Sequence, residues 1–110
     1  MDDAGNELAD RIRALLSADV ALEERRMFGS RAFLVEGRIL VGARKGGVLL
    51  VRVTTEHGAA LLTQPGATPA VMGARTMSPN WLDVAPSAIE DDDALMSWLD
   101  AAREDSATLS

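Results

Sequence analysis

The sequence predicts a two-layer α+β domain, a mainly antiparallel sheet with helices on one face, in the order α-β(3–4)-α-β(1–2)-α. Three observations predict it. Apolar residues recur at helical spacing near both ends of the chain. Between them, Glu36-Gly37 and Lys45-Gly46-Gly47 interrupt runs of Val, Leu, Ile and Phe at hairpin spacing. Tight hairpins make neighbouring strands antiparallel, and a sheet with one apolar face needs helices to cover that face.

The first helix is expected from Asn6 to Ala18. Leu8, Ile12, Leu15 and Leu16 form one stripe, and Asn6 or Asp3 supplies a short polar cap. Strands follow from Glu24 to Val53. The Glu36-Gly37 turn pairs Val35 with Arg38, Leu34 with Ile39 and Phe33 with Leu40. Alternation then puts Ala32, Leu34, Ile39, Val41 and Ala43 on an apolar face. Arg31, Phe33, Val35, Arg38, Leu40 and Arg44 take the other. A three-residue loop at Lys45-Gly46-Gly47 adds Leu49, Val51 and Val53 to the apolar face and Arg52 to the arginine face. A two-residue loop would bury Arg52, at a cost of several kcal/mol or so if unpaired.

Thr55 to Thr63 reads as a short helix capped by Thr54 or Thr55 and ended by Gln64-Pro65-Gly66. Residues 66–80 read as a loop with room for a short strand around Ala70–Met72. Trp81–Val84 is a last strand, stopped by Pro86. The final helix lies within Ser87–Asp105, capped by Asp91 or Asp92, with Leu95, Trp98, Leu99 and Ala102 as its stripe. Residues 1–110 are expected to form a single domain.

Composition excludes several functions. There is no cysteine, hence no thiol nucleophile, disulfide or zinc-thiolate cluster, and His57 is the one histidine. No apolar run is long enough to span a membrane, and the acidic start lacks a signal-peptide pattern, so a cytoplasmic location is expected. The net charge of −6 is uneven. Seven of the 11 basic residues and one of the 17 acids lie between Arg25 and Arg52, so that stretch carries +6 and the remainder −12.

Arg25-Arg26-Met27-Phe28-Gly29, then Ala32-Phe33-Leu34-Val35, then Gly37 and Leu40-Val41-Gly42, resemble the N-terminal domain of the TfoX/Sxy competence-regulator family. Leu49–Val53, Pro65-Gly66, Gly73, Arg75, Met77 and Trp81 follow in matching order, so the resemblance runs from about Arg11 to Arg103. The most specific piece is Arg26, Met27, Phe28 and Gly29 with the hairpin after it. Ser30 stands where the family often has a second glycine. Full-length regulators add a C-terminal helical domain, and the expectation here is the N-terminal domain alone. The resemblance implies a two-layer fold and a link to regulation of DNA-uptake genes. It brings no catalytic residues.

The candidate interaction face is Arg31, Phe33, Arg38, Leu40, Arg44 and Arg52. Arginines give forked contacts to carboxylates, and the apolar residues add contact area. The plain alternative is a solvated face with arginine stems lying over apolar neighbours. A nucleic acid is a second reading of the same patch, opposed by the acidic remainder. Glu90-Asp91-Asp92-Asp93 lacks the alternation of a calcium loop and suits a helix start. Gly42–Gly47 is a hairpin and opens no helix, so it fails as a phosphate loop. His57 has no nucleophile in a recognisable setting. The expectation is a non-enzymatic regulatory or protein-interaction domain with no cofactor, no metal and no membrane contact. It would bind a protein partner or a second copy. A small-molecule-binding protein or enzyme is the remaining alternative.

Overall fold

The computed structural model describes residues 2–18, 21–27, 29–72, 74–76, 80–106 and 108. Helix α1 (Asp3–Leu15) begins three residues before the expected start, because Asp2 is the cap: its carboxylate accepts from the Gly5 N–H at 3.0 Å. The same carboxylate accepts from Gly46 N at 2.9 Å, which ties the helix start to the second hairpin turn. Strands β1 (Leu22–Met27), β2 (Ser30–Val35), β3 (Arg38–Arg44) and β4 (Val48–Arg52) form an antiparallel meander. Helix α2 (Thr55–Leu61) starts at Thr54, whose hydroxyl accepts from His57 N at 3.2 Å.

Residues 66–80 hold more strand than expected. β5 (Ala67–Pro69), β6 (Val71–Met72) and β7 (Arg75–Thr76) precede β8 (Trp81–Val84), so four short strands stand where one or two were predicted. Exposed Gly/Pro-rich backbone still needs hydrogen-bond partners. It finds them by pairing, β5 with β8 and β6 with β7. The main sheet runs β1-β2-β3-β4-β8-β5, and β6-β7 is a separate hairpin. After a turn at Pro86–Ala88 comes helix α3 (Asp92–Ser106). Asp91 caps it, accepting from Ala94 N at 2.7 Å.

Helices α1 and α3 cover one face of the sheet. Leu8, Ile12, Leu16, Leu95, Trp98 and Leu99 meet Phe33, Val41, Ala43, Leu49, Val51, Leu82 and Val84 in one buried cluster. Both hairpin turns form as expected. Glu36 and Gly37 take φ of 53° and 79°, the left-handed pair that a two-residue hairpin loop needs. The second turn pairs Arg44 with Val48, Ala43 with Leu49 and Val41 with Val51.

One register shift alters the expected faces. Val35 pairs with Arg38 and Leu34 with Ile39, but Phe33 then pairs with Val41, not Leu40. Leu40 is the extra residue of a β-bulge, and it stands beside Val41 in the core. A one-residue slip exchanges faces for everything beyond it. Val41, Ala43, Leu49, Val51 and Val53 lie toward the helices as expected. Phe33 and Leu40 join them, 0% and 2% exposed, where the sequence placed them on the arginine face. Ala32 and Leu34 turn to the opposite side; they are buried but outside the helix-side cluster.

Candidate functional site

The bulge divides the six predicted interaction residues. Arg31 and Arg38 accompany Phe33 to the helix side. Arg31 reaches Glu24, and Arg38 donates to the Ser106 carbonyl at the end of α3 at 2.7 Å. Arg44 and Arg52 remain on the opposite face. Phe33 and Leu40 are core and present no surface. The single arginine face therefore does not assemble, because β2 and the first half of β3 are inverted relative to β4.

On the face away from the helices, strand β8 supplies two partners that strand alternation alone did not identify. Arg52 pairs across the strands with Trp81, and its guanidinium lies over the indole at 5.5 Å from the ring centre. The Arg52 Nε is buried and has no hydrogen-bond partner among the described residues. Arg44 forks onto Asp83 at 2.8 and 2.9 Å and donates to the Val71 carbonyl at 2.8 Å. Asp83 also accepts from Val71 N at 3.3 Å, so β6 is held against this face. Val71, 43% exposed, is the one large apolar side chain that stands out among the described residues. Leu50 shares the face: its side chain lies 3.6 Å from where a Cβ on Gly42 would sit. Arg25 of β1 stands on the same face at the far edge of the sheet, paired with Glu23 at 2.8 Å.

At the other edge of the sheet, Glu24 joins three elements. Arg13 of α1 holds it at 2.9 and 3.0 Å, and Arg31 of β2 also donates to it. The Arg13 hydrogen bonds, with Arg31 adding to them, keep the Glu24 carboxyl below its ordinary range against the opposing effect of burial. The Asp2 carboxyl is likewise lowered, chiefly by the Gly46 N–H and then by that of Gly5. Groups with depressed folded pKa values stabilise the fold above their unfolded values, and that stabilisation is lost as pH falls through the folded ones. The melting temperature should therefore fall on acidification from pH 5 toward pH 2. Glu24→Gln should flatten part of that fall, as read by thermal melts across the range. An unaltered acid limb in Glu24→Gln would exclude Glu24 as a contributor.

Between α2 and α3 lies a groove of about 500 Å³. Leu61, Met96, Trp98 and Ala101 give it an apolar lining, with His57, Asp93, Asp100 and Glu104 around it. The His57 Nδ1 lies 2.8 Å from Asp105, which also accepts from Thr54 N at 2.8 Å. No hydroxyl bonds to the His57 ring among the described residues, so the His–carboxylate pair joins α2 to α3 without an adjacent nucleophile. The acidic run divides its work. Asp91 caps α3, Asp92 pairs with Arg11 at 3.1 Å, and no group with metal-ligand geometry occurs among the described residues.

A family model described as the TfoX N-terminal domain matches residues 14–106. The chain belongs to the TfoX N-terminal domain family. That family is not one of enzymes. A crystal structure of a protein from Pseudomonas syringae shares the fold, with a TM-score of 0.60 and 13% identity over 93% of this chain and 96% of that one. A protein named probable translation initiation factor IF-2, from Aeropyrum pernix, is 39% identical over 66 residues. Those residues are 58% of this chain and a tenth (10%) of that protein.

Within the TfoX motif, Arg26 is exposed at the end of β1, Met27 is half-buried, and Gly29 turns the chain at φ 75°. Phe28, Gly73 and Met77 lie outside the described residues. No described helix is long and apolar enough to cross a membrane. The sequence did carry one unused signal. Asp93, Ser97, Asp100 and Glu104 are spaced four, three and four apart, a polar stripe on one side of α3.

Proposed function

We propose that this TfoX-type domain is a non-enzymatic regulatory module that docks a protein partner on the sheet face away from the helices. The observation that carries the reading is Arg52. It is the arginine on that face whose Nε is desolvated without a hydrogen-bond acceptor among the described residues, and it lies against Trp81 with Leu50 two positions before it on the same strand. A buried donor without an acceptor is costly, and a partner carboxylate on the guanidinium's outer nitrogens would offset the charge that the fold leaves unpaired there. The stacked indole favours a planar guanidinium held ready for a forked contact. The regulatory role follows the family resemblance, which links such domains to control of DNA-uptake genes.

A protein suits this face better than a nucleic acid. Arg25, Arg31 and Arg44 already pair with Glu23, Glu24 and Asp83, so half of the +6 of that stretch is offset from within the fold. Phosphate binding needs unpaired cations in a row.

Affinity capture from the source cell with quantitative recovery tests the reading. Arg52→Glu should lose the captured partner at least tenfold, while Arg31→Glu, on the helix side, should keep it in variants that remain folded. Equal recovery with Arg52→Glu overturns the proposal. Recovery that collapses with modest salt and depends on added DNA would instead favour nucleic acid.

A further inference from the structure

We infer that the groove between α2 and α3 is a second docking site, for a basic amphipathic segment of another protein. This inference does not rest on the sheet face, which lies on the other side of the sheet. Asp93, Asp100 and Glu104 line the groove and make no hydrogen bond or ion pair among the described residues. Asp10, Glu24, Asp83, Asp92 and Asp105 each hold an arginine or histidine, whereas these three share one groove with no arginine or lysine in its lining. Three unpaired carboxylates on one helix stripe repel one another, and a cation relieves that repulsion.

Four apolar side chains share the lining with Gln64 and Ser97. Leu61 and Met96 are half-buried, and Trp98 and Ala101 are 7% and 8% exposed. A volume of about 500 Å³ admits a few large side chains. Leu61 and Met96 between acidic side chains fit an amphipathic helix with leucine-type anchors and lysines or arginines beside them. The chemistry also narrows the occupant. Phosphate-bearing ligands are repelled by the rim. Asp93 and Glu104 are about 16 Å apart along the helix axis, too far to share one metal ion. A second copy of this chain would have to supply Arg26, Lys45, Arg52 or Arg75, which lie on different elements and form no amphipathic helix, since Arg13, Arg31, Arg38 and Arg44 are held by its own carboxylates or carbonyls.

The test is fluorescence anisotropy on the whole chain with a labelled 14-residue peptide of lysine and leucine at helical amphipathic spacing. A scrambled peptide of the same composition and a version with glutamate for lysine are the comparators. The amphipathic lysine peptide should bind at least tenfold more tightly than either. Asp100→Lys/Glu104→Lys should weaken it at least tenfold, whereas Asp3→Lys/Glu7→Lys, the same charge change on α1, should alter it less than threefold. If the first variant does not fold, Asp100→Asn/Glu104→Gln serves, with at least a threefold loss expected. Arg52→Glu should bind the peptide as wild type does, which separates this site from the sheet face. Equal binding of the scrambled peptide, equal weakening by the α1 variant, or no binding overturns the inference. So does a dimer of the peptide-free chain that disappears in Asp100→Lys/Glu104→Lys, since that outcome assigns the groove to a second copy.

Discussion

Phe33→Ala should lower the unfolding free energy by about 3–5 kcal/mol, the cost of removing a fully buried aromatic side chain and leaving a cavity. Phe33 is 0% exposed and sits opposite Leu40 and Val41 on the helix side of the sheet. The alternation read from sequence puts the same residue on an uncovered face, where truncation costs within about 0.5 kcal/mol. The two registers differ by one residue in β3, so this substitution separates them. Urea denaturation with an unchanged slope gives the number directly. A loss below about 1 kcal/mol would mean that the bulge is absent and Phe33 is on the surface.

Asp105→Ala should destabilise by about 1–3 kcal/mol, because it strips the acceptor from a backbone donor and removes the partner of His57. Asp105 is 13% exposed, and one of its oxygens takes both Thr54 N and His57 Nδ1 at 2.8 Å. Those bonds fix the start of α2 against the last turn of α3. Asp105→Asn keeps an oxygen for Thr54 N while losing the charge, so it should fall between wild type and Asp105→Ala. Thermal melts of the three proteins at neutral pH rank them. A melting temperature for Asp105→Ala equal to wild type would show that the α2–α3 junction does not depend on this carboxylate.

Much of the fold is legible in residue order. The helical stripes Leu8-Ile12-Leu16 and Leu95-Trp98-Leu99 lie in the core as predicted. Glu36-Gly37 and Lys45-Gly46-Gly47 form the turns expected, because positive φ is cheap only at such residues. What misled the reading is the composition of β2. Ala32 and Leu34 on one parity and Phe33 and Val35 on the other are both apolar, so alternation does not choose between them. Unbroken pairing from the Glu36-Gly37 turn puts Val41 and Ala43 with Leu34, and the bulge at Leu40 puts them with Phe33 instead. The fold holds Arg31 and Arg38 on the helix side, where Glu24 and the end of α3 give them partners.

The sites depended still more on distant contacts. Arg52 was expected on the face away from the helices, but its stacking on Trp81 requires β8 to lie beside β4, a neighbour 29 positions later. The groove needs α2 and α3 side by side, although the stripe along α3 was present in the sequence throughout.

By itself, the sequence determined the α+β class, the hairpin turns, the helical stripes and the uneven charge, since each depends on spacing within a few residues. Only the tertiary structure decided which strand face bears which arginine and which carboxylates find a partner among the described residues. A bulge costs one unpaired residue locally, and its benefit, Phe33 and Leu40 packed beneath the helices, exists only once the helices are in place.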